Sequence, residues 1–420
     1  MAGQMLLIGF RGAEPADQNG EPLPILRQVA EQNLGGVILF DRDAVLGSGG
    51  RNVQSPEQLS RLTAALARAA ADANLPPLFI AVDQEGGRVQ RLKPLYGFPD
   101  SPAAAELCPD EAPSPNSGAG PNANVDANAA AGPVGGVVVG TVAGAEPVLT
   151  ASPAFNAGQA TGRMLRAAGL NLDFAPVCDV NVNPQNPVIG ALGRSFAADP
   201  VRAGMCAASF ARGLKSQGVL TAAKHFPGHG SSTGDSHLGF TDVTGTWTET
   251  ELLPFGALLH EGLADMVMTA HVYNARLDPK RPATLSRAVI TGLLRGKLGY
   301  SGVVVTDDLQ MRAVTSAYGF KEALGLAVNA GADVLLIGNN LEYDDAIGQK
   351  ALDALMGLVA EGKVPAARIR ESYGRILSLK AALPTALPTV TTTAPAPVRT
   401  PSPEAKSSAL KPVAAVPAGL

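Results

Sequence analysis

Cysteine is scarce in this chain of 420 residues: only Cys108, Cys178 and Cys206 occur. Their number is odd and none share C-x-x-C spacing, which argues against a disulfide framework or a zinc ribbon and leaves them as ordinary buried or half-exposed thiols. Basic excess is also missing, since 33 Lys and Arg stand against 37 Asp and Glu for a net charge of −4. With no basic run interleaved with aromatics, a nucleic-acid partner is not expected. No apolar run reaches the roughly 18–20 residues that a membrane span requires. The first ten residues lack a basic n-region and an A-x-A cleavage site and read as a first strand, so the expected location is the cytoplasm, or outside the cell if a signal peptide has been trimmed upstream.

What the chain does have is periodicity. Its 46% hydrophobic content suffices for a large core. Short apolar runs recur over 6–10, 36–40, 78–83, 170–176, 221–225, 266–271, 303–307 and 334–338, each ending in polar or glycine-rich sequence. Eight such runs are what a β/α barrel needs. Helix starts lie between them: Ser55-Pro56-Glu57-Gln58 offers a serine cap with proline at the first helical position, Asp199-Pro200 does the same, and Thr248-Glu249-Thr250-Glu251 has capping-box spacing. Strand followed by capped helix, repeated, predicts an α/β fold, a single TIM-like (β/α)8 barrel over residues 1–382. The last helical pattern, over 366–379, places Ile369, Tyr373, Ile376 and Leu377 near one face. Two stretches fall outside the pattern. Residues 107–150 are Ala, Gly, Pro, Asn and Ser with few large apolar side chains and read as a low-complexity insertion, with 137–139 as a minor strand at most; residues 383–420 are rich in Pro, Thr and Ala and read as a flexible tail.

Chemistry concentrates in Lys224-His225-Phe226-Pro227-Gly228-His229-Gly230 and the following Asp235-Ser236-His237, which hold three of the five histidines. Proline and glycine break any regular element there, so these groups ride on a loop leaving the fifth strand. In a barrel the strand ends converge on one rim. The other ends supply Asp83-Gln84-Glu85 with Arg88 and Arg91, Asp173 and Asp179, His271, and Asp307-Asp308, while the stretch between the fourth and fifth strands offers Arg194. Any one of these can be a solvated charge or a satisfied turn. Asp307 is the strongest of them, because it ends the apolar run of Val303-Val304-Val305-Thr306 where a carboxylate is held rigidly in the barrel mouth.

Three chemistries can use this set. A metal hydrolase would take His225, His229, His237 and His271 as ligands, but the early strand-end His-x-His is missing and Lys224 would set a cation beside the metal. A sugar-binding module would use the same acids and arginines without needing a carboxylate plus a loop histidine. Glycoside cleavage needs one carboxylate at the anomeric carbon and a proton donor across the bond, which Asp307 and His237 can supply. Asp235, two residues before His237, can orient the imidazole and favour its protonated form.

With these residues assembled, the chain resembles glycoside hydrolase family 3, in the branch of single-domain bacterial β-N-acetylglucosaminidases. The resemblance rests on Gly3-Gln4-Met5-Leu6, Gly35-Gly36-Val37-Ile38-Leu39-Phe40, Asp83-Gln84-Glu85-Gly86-Gly87-Arg88-Val89, Leu172-Asp173-Phe174-Ala175-Pro176-Val177 and Gly193-Arg194-Ser195-Phe196, and above all on the Lys224–Gly230 motif with Asp235-Ser236-His237 and Val305-Thr306-Asp307-Asp308-Leu309. It implies a retaining exo-hydrolase that takes a small carbohydrate or muropeptide, acting as a monomer without metal or organic cofactor. Asp307 matches the family's nucleophile, His237 its acid/base and Asp235 the dyad partner; Asp83, Arg91, Arg194, Lys224 and His225 match the positions that bind N-acetylglucosamine. The insertion and the tail are outside the usual core. A family 3 β-glucosidase or xylosidase is the nearest rival, though those relatives usually draw a glutamate acid/base from a second domain. A phosphorylase is the other, since a histidine acid/base does not repel an incoming phosphate.

Overall fold

Each of the eight apolar runs forms a strand, in the computed structural model, which describes residues 1–109, 152–236 and 238–383. The expected insertion from residue 110 on, the tail from 384 on, and His237 lie outside the described residues. The strands are β1 Leu6–Gly9, β2 Gly36–Ile38, β3 Phe79–Val82, β4 Leu172–Asp173, β5 Leu220–Phe226, β6 Met266–Thr269, β7 Val303–Thr306 and β8 Leu335–Ile337. Neighbours in sequence are neighbours in the sheet and pair in parallel, with Leu7 opposite Gly36, Val37 opposite Ile80, Ala81 opposite Leu172 and Val304 opposite Val267. β1 also pairs with β8, and a bridge between Val305 and Val334 closes the ring. Every residue of these eight strands is buried, as expected for parallel strands covered by helices on one side and barrel filling on the other.

The crossovers carry helices α1 Pro24–Gln32, α2 Pro56–Asp72, α3 Pro153–Ala167, α4 Pro200–Lys215, α5 Leu253–His260, the π-wound α6 Ala288–Lys297, α7 Phe320–Ala330 and α8 Ile347–Ala360, followed by α9 Ala366–Lys380. Two of the expected caps form: Ser55 Oγ accepts from the Gln58 amide at 3.1 Å and an Asp199 oxygen from the Arg202 amide at 2.8 Å. The third does not. Thr248 Oγ1 instead contacts Thr250 Oγ1, residues Glu249–Leu252 wind as a 3-10 turn, and Glu251 folds inward to accept from the Ser231 amide at 3.3 Å.

α9 also departs from its apolar reading. Ile369 and Ile376 are buried, but Tyr373 and Leu377 are only half-buried, and Ser372 and Lys380 take the remaining inward positions. Ser372 donates to Asp333, which also receives Arg295, Arg368 and Arg375; Lys380 Nζ donates to Gln4 Oε1 at 2.7 Å and to the Gly35 carbonyl at 2.8 Å. These polar ties fasten the last helix across the N-terminal face of the barrel.

The thiol reading of the cysteines is corrected. Cys108 and Cys206 form a disulfide, with Cα atoms 6.0 Å apart, and only Cys178 is a buried free thiol. Leu107 and Cys108, at the start of the expected insertion, are buried in the barrel core. The partners are 98 residues apart, so no spacing rule shows them; the fold brings the end of the third crossover's first segment against α4.

The buried Glu251 gives a pH test of this packing. Burial pushes its carboxyl up from the usual 4.5 to about 7. Because the folded state holds this proton more tightly than the unfolded chain, stability is full below the unfolded value and declines as pH rises from about 4.5 to about 7, by on the order of 2–3 kcal/mol. Glu251→Gln keeps an acceptor for the Ser231 amide and removes the titration. Thermal unfolding across this interval should show the wild type losing stability with pH relative to the variant; parallel curves would mean that burial does not raise the Glu251 carboxyl.

Candidate active site

The C-terminal ends of the strands open into a cavity of about 600 Å³. Asp83, Glu85, Arg91, Arg194, Lys224, His225, His229, Ser236, Asp307 and Asp308 line it, with Ile38, Met268, Met311 and Leu336 among its apolar wall. Six of the expected site residues therefore meet: Asp83, Arg91, Arg194, Lys224, His225 and Asp307. Asp235 does not line this cavity and is half-buried in the loop beside it; His237 lies outside the described residues, between Ser236 and Leu238.

At the base, alternation along the end of β3 sends Asp83 and Glu85 to one side. Lys224, two residues before the end of β5, reaches both: its Nζ donates to Asp83 Oδ1 at 2.8 Å and pairs with Glu85 Oε1 at 2.6 Å. Arg194 grips the same Glu85 through two parallel bonds of 2.7 Å and donates to the Val188 carbonyl with its remaining terminal nitrogen. Arg91 donates to Asp83 Oδ2 at 3.2 Å. Burial alone would raise both acids, but the neighbouring cations outweigh it: Lys224 and Arg91 hold Asp83 well below the usual carboxylate range, and Arg194 and Lys224 bring Glu85 to about 2. Burial likewise opposes the charge on Lys224 and Arg194, yet their carboxylate partners raise both. Asp173, fully buried, is raised well above its ordinary value by desolvation despite the nearby Lys224.

His225 is fixed from behind. Its Nδ1 meets Asp179 Oδ2 at 2.6 Å while its Nε2 lies 3.4 Å from Arg194 Nη2. Burial of Asp179 is outweighed by His225 and His229, and its carboxyl stays below the ordinary range. The other oxygen of Asp179 accepts the His229 amide at 2.7 Å, so one buried carboxylate anchors both ends of the bend after β5.

The loop that follows has a different character from its glycine content. Over Gly228–Ser232 every residue is buried. A Cβ on Gly230 would stand 1.7 Å from the Val180 carbonyl, and one on Gly228, whose φ is +122°, would meet Glu251. Glycine here permits close backbone approach rather than freedom. His229 pins the loop between two hydroxyls, Ser232 Oγ at 2.9 Å and Ser236 Oγ at 3.1 Å, and burial lowers it to about 4, which leaves it neutral near pH 7. The Ser236 carbonyl accepts the Ala313 amide at 3.2 Å. Packing therefore fixes the backbone over Gly228–Ser232, and His229 ties Ser236 to it.

The two acids after β7 differ in their commitments. Asp308 Oδ1 accepts the amides of Gln310 and Gly338, both at 3.0 Å, which ties the end of β7 to β8. Asp307 Oδ1 accepts the Asp308 amide at 2.8 Å. His271 sits beneath, with Nε2 at 2.9 Å from the Asp308 carbonyl and Nδ1 at 2.9 Å from Thr284 Oγ1, bracing the same turn. Sequence reasoning gave no site role to two important members of the wall. Glu85 holds the two cations together, and its place two residues from Asp83 was the readable signal. Asp41, past the end of β2, receives Lys93 at 2.6 Å and lies 3.8 Å from Arg91; its place directly after the apolar run over 36–40 was the readable signal.

The model of the glycosyl hydrolase family 3 N-terminal domain matches residues 4–112 and 141–379. Among similar proteins, a beta-hexosaminidase of Tolumonas auensis is 34% identical over 338 residues, 80% of this chain and 83% of that protein. Beta-hexosaminidase A of Pseudoalteromonas piscicida is 30% identical over 413 residues, and the chain spans 61% of its length. The solved structure of a family 3 β-N-acetylglucosaminidase from Paenibacillus superposes with a TM-score of 0.74 at 35% identity, covering 93% of this chain and 64% of that one. On a family match that runs from before β1 to within the last helix, the chain belongs to glycoside hydrolase family 3 and is a glycoside hydrolase.

Proposed function

We propose that the chain is a retaining exo-β-N-acetylglucosaminidase, in which Asp307 is the nucleophile and His237, oriented by Asp235, is the acid/base. The observation that carries this reading is the distribution of charge in the cavity. Lys224, Arg194 and Arg91 are each paired with Asp83, Glu85 or Asp41, and Asp308 is bound to strand β8, so the base is a fixed wall of hydrogen-bonding groups with the Asp307 carboxylate at its edge. Such a wall suits sugar hydroxyls and holds the anomeric carbon against one carboxylate. The relatives named β-hexosaminidase and β-N-acetylglucosaminidase support the substrate.

In the first step an Asp307 oxygen bonds to the anomeric carbon as the glycosidic C–O bond breaks, and His237 gives its proton to the departing oxygen. In the second, His237 takes a proton from water, the water oxygen bonds to the same carbon, and the Asp307 ester bond breaks. We take the natural aglycone to be a peptidoglycan fragment and the working unit to be a monomer. The Cys108–Cys206 bridge supports an oxidising compartment rather than the cytoplasm expected from the N-terminal residues.

Asp307→Ala should abolish turnover without unfolding the protein, and a slow fluorinated N-acetylglucosaminide should label Asp307; a label on Asp308 or Glu85 would overturn the assignment. His237→Ala should cut hydrolysis of substrates with poor leaving groups by about 10²–10⁴-fold and spare activated aryl glycosides. Equal losses on both would remove His237 from the acid role. Running the same assays with added inorganic phosphate separates hydrolase from phosphorylase, because a sugar phosphate would be the product of the latter. For the bridge, Cys206→Ser should lower stability by about 2–4 kcal/mol. Unreduced, denatured protein should take up one thiol reagent, at Cys178; uptake at three sites would dismiss the disulfide.

A further inference from the structure

Four cations line the cavity, and three of them are paired inside it. The fourth is Arg42. It projects from the two-residue strand Arg42–Asp43 of a small antiparallel ribbon that follows β2, and unlike Lys224 and Arg194 it is exposed. Among the described residues its guanidinium has no ion pair and no hydrogen bond. The nearby acids are already taken: Asp41 by Lys93 and Arg91, and Asp43 by Arg11 at 2.6 Å and Arg51 at 2.7 Å.

The backbone beneath Arg42 is nonetheless held firmly. Asn340, in the segment after β8, donates to the Arg42 carbonyl at 3.2 Å and accepts the Ala44 amide at 2.9 Å, so both edges of the ribbon residue are clamped by one side chain. Arg51 reaches the same Asn340 at 2.9 Å and the Asn339 carbonyl at 2.7 Å, and Arg11 stacks 3.7 Å from the centre of the Tyr343 ring. The clamp fixes the backbone from which the Arg42 guanidinium, unpaired among the described residues, can offer its planar fork of donors to an anion.

An exo-acting enzyme seats the terminal sugar at the closed end and leaves the aglycone toward the opening. Asp83, Lys224 and Arg194 occupy the closed end, whereas Arg42, with Leu341, stands at the exposed mouth. We propose that Arg42 selects aglycones bearing a carboxylate, such as a sugar with an acidic ether substituent. This inference rests on the glycosidase reading above and names the chemistry of its leaving-group side.

The test compares two disaccharides that differ in one group: N-acetylglucosaminyl-β-1,4-N-acetylmuramic acid, which carries a carboxylate, and the neutral N,N′-diacetylchitobiose. In Arg42→Gln the ratio of kcat/KM for the acidic over the neutral substrate should fall about 5-fold, the worth of one exposed charge pair, and the loss should lie in KM. Arg42→Lys should recover part of it and Arg42→Glu should lower the ratio further. Added salt should shrink the wild-type preference and leave that of Arg42→Gln unchanged. An unchanged ratio in Arg42→Gln, with both substrates still hydrolysed, overturns this inference alone; failure of wild type on both disaccharides and on an aryl β-N-acetylglucosaminide sinks the glycosidase reading itself. A phosphate-dependent rate that disappears in Arg42→Gln would instead assign the arginine to a phosphate nucleophile and overturn the aglycone role.

Discussion

The mouth of this barrel depends on one buried ammonium. Lys224 is 2% exposed, and withdrawing such a charge from water costs several kcal/mol unless the interior replaces its hydration. Asp83 and Glu85 do so from the end of β3, at 2.8 and 2.6 Å, and Arg194 saturates Glu85 from the opposite side. Each member is tolerable only because the others are present. Deleting one partner would strand a charge and cost about 3–5 kcal/mol, whereas the intact set holds its geometry without reorganising around a ligand. Strand β3, strand β5 and the loop before α4 are thereby locked into one rigid floor.

The opposite end of the barrel uses similar chemistry for another purpose. Asp333 gathers Arg295, Arg368 and Arg375 with Ser372, and Lys380 reaches Gln4 and Gly35; together they join α6, α9 and the N-terminal turn. The arginines around Asp333 come from outer helices rather than strand ends. Two charged clusters of comparable size thus differ by location: one closes the stack of helices on the barrel, the other forms the wall of a 600 Å³ cavity. Charge clustering alone does not distinguish them, but the face of the barrel does.

The strands were legible because parallel barrel strands are buried on both sides and so read as unbroken apolar runs; seven lie within the expected segments, and β5 overruns its segment, 221–225, by one residue at each end. The rim residues were legible because they follow those runs directly, as Asp83, Lys224 and Asp307 do. What escaped depends on tertiary neighbours. Thr248 has every local feature of a capping box, yet Glu251 is drawn inward to the Ser231 amide. Cys108 and Cys206 meet only because the segment after Glu106 lies beside α4. The inward face of α9 was read as apolar, while Ser372 and Lys380 fill it because two polar partners, Asp333 and Gln4, wait on the barrel.

The loop after β5 shows how composition misleads when packing is unseen. Gly228, Gly230 and the small residues around them suggest freedom, but the backbone passes so close to Val180 and Glu251 that nothing larger fits. Asp179 anchors its start through the His229 amide, and the two hydroxyls on His229 anchor its middle. These contacts extend to Ser236, which itself faces the cavity. With the floor saturated by its own ion pairs and the loop held by a neutral histidine, little of the interior is free to distinguish one leaving group from another. Discrimination of that side has to come from groups at the opening, where the ribbon after β2 presents an exposed cation on a clamped backbone.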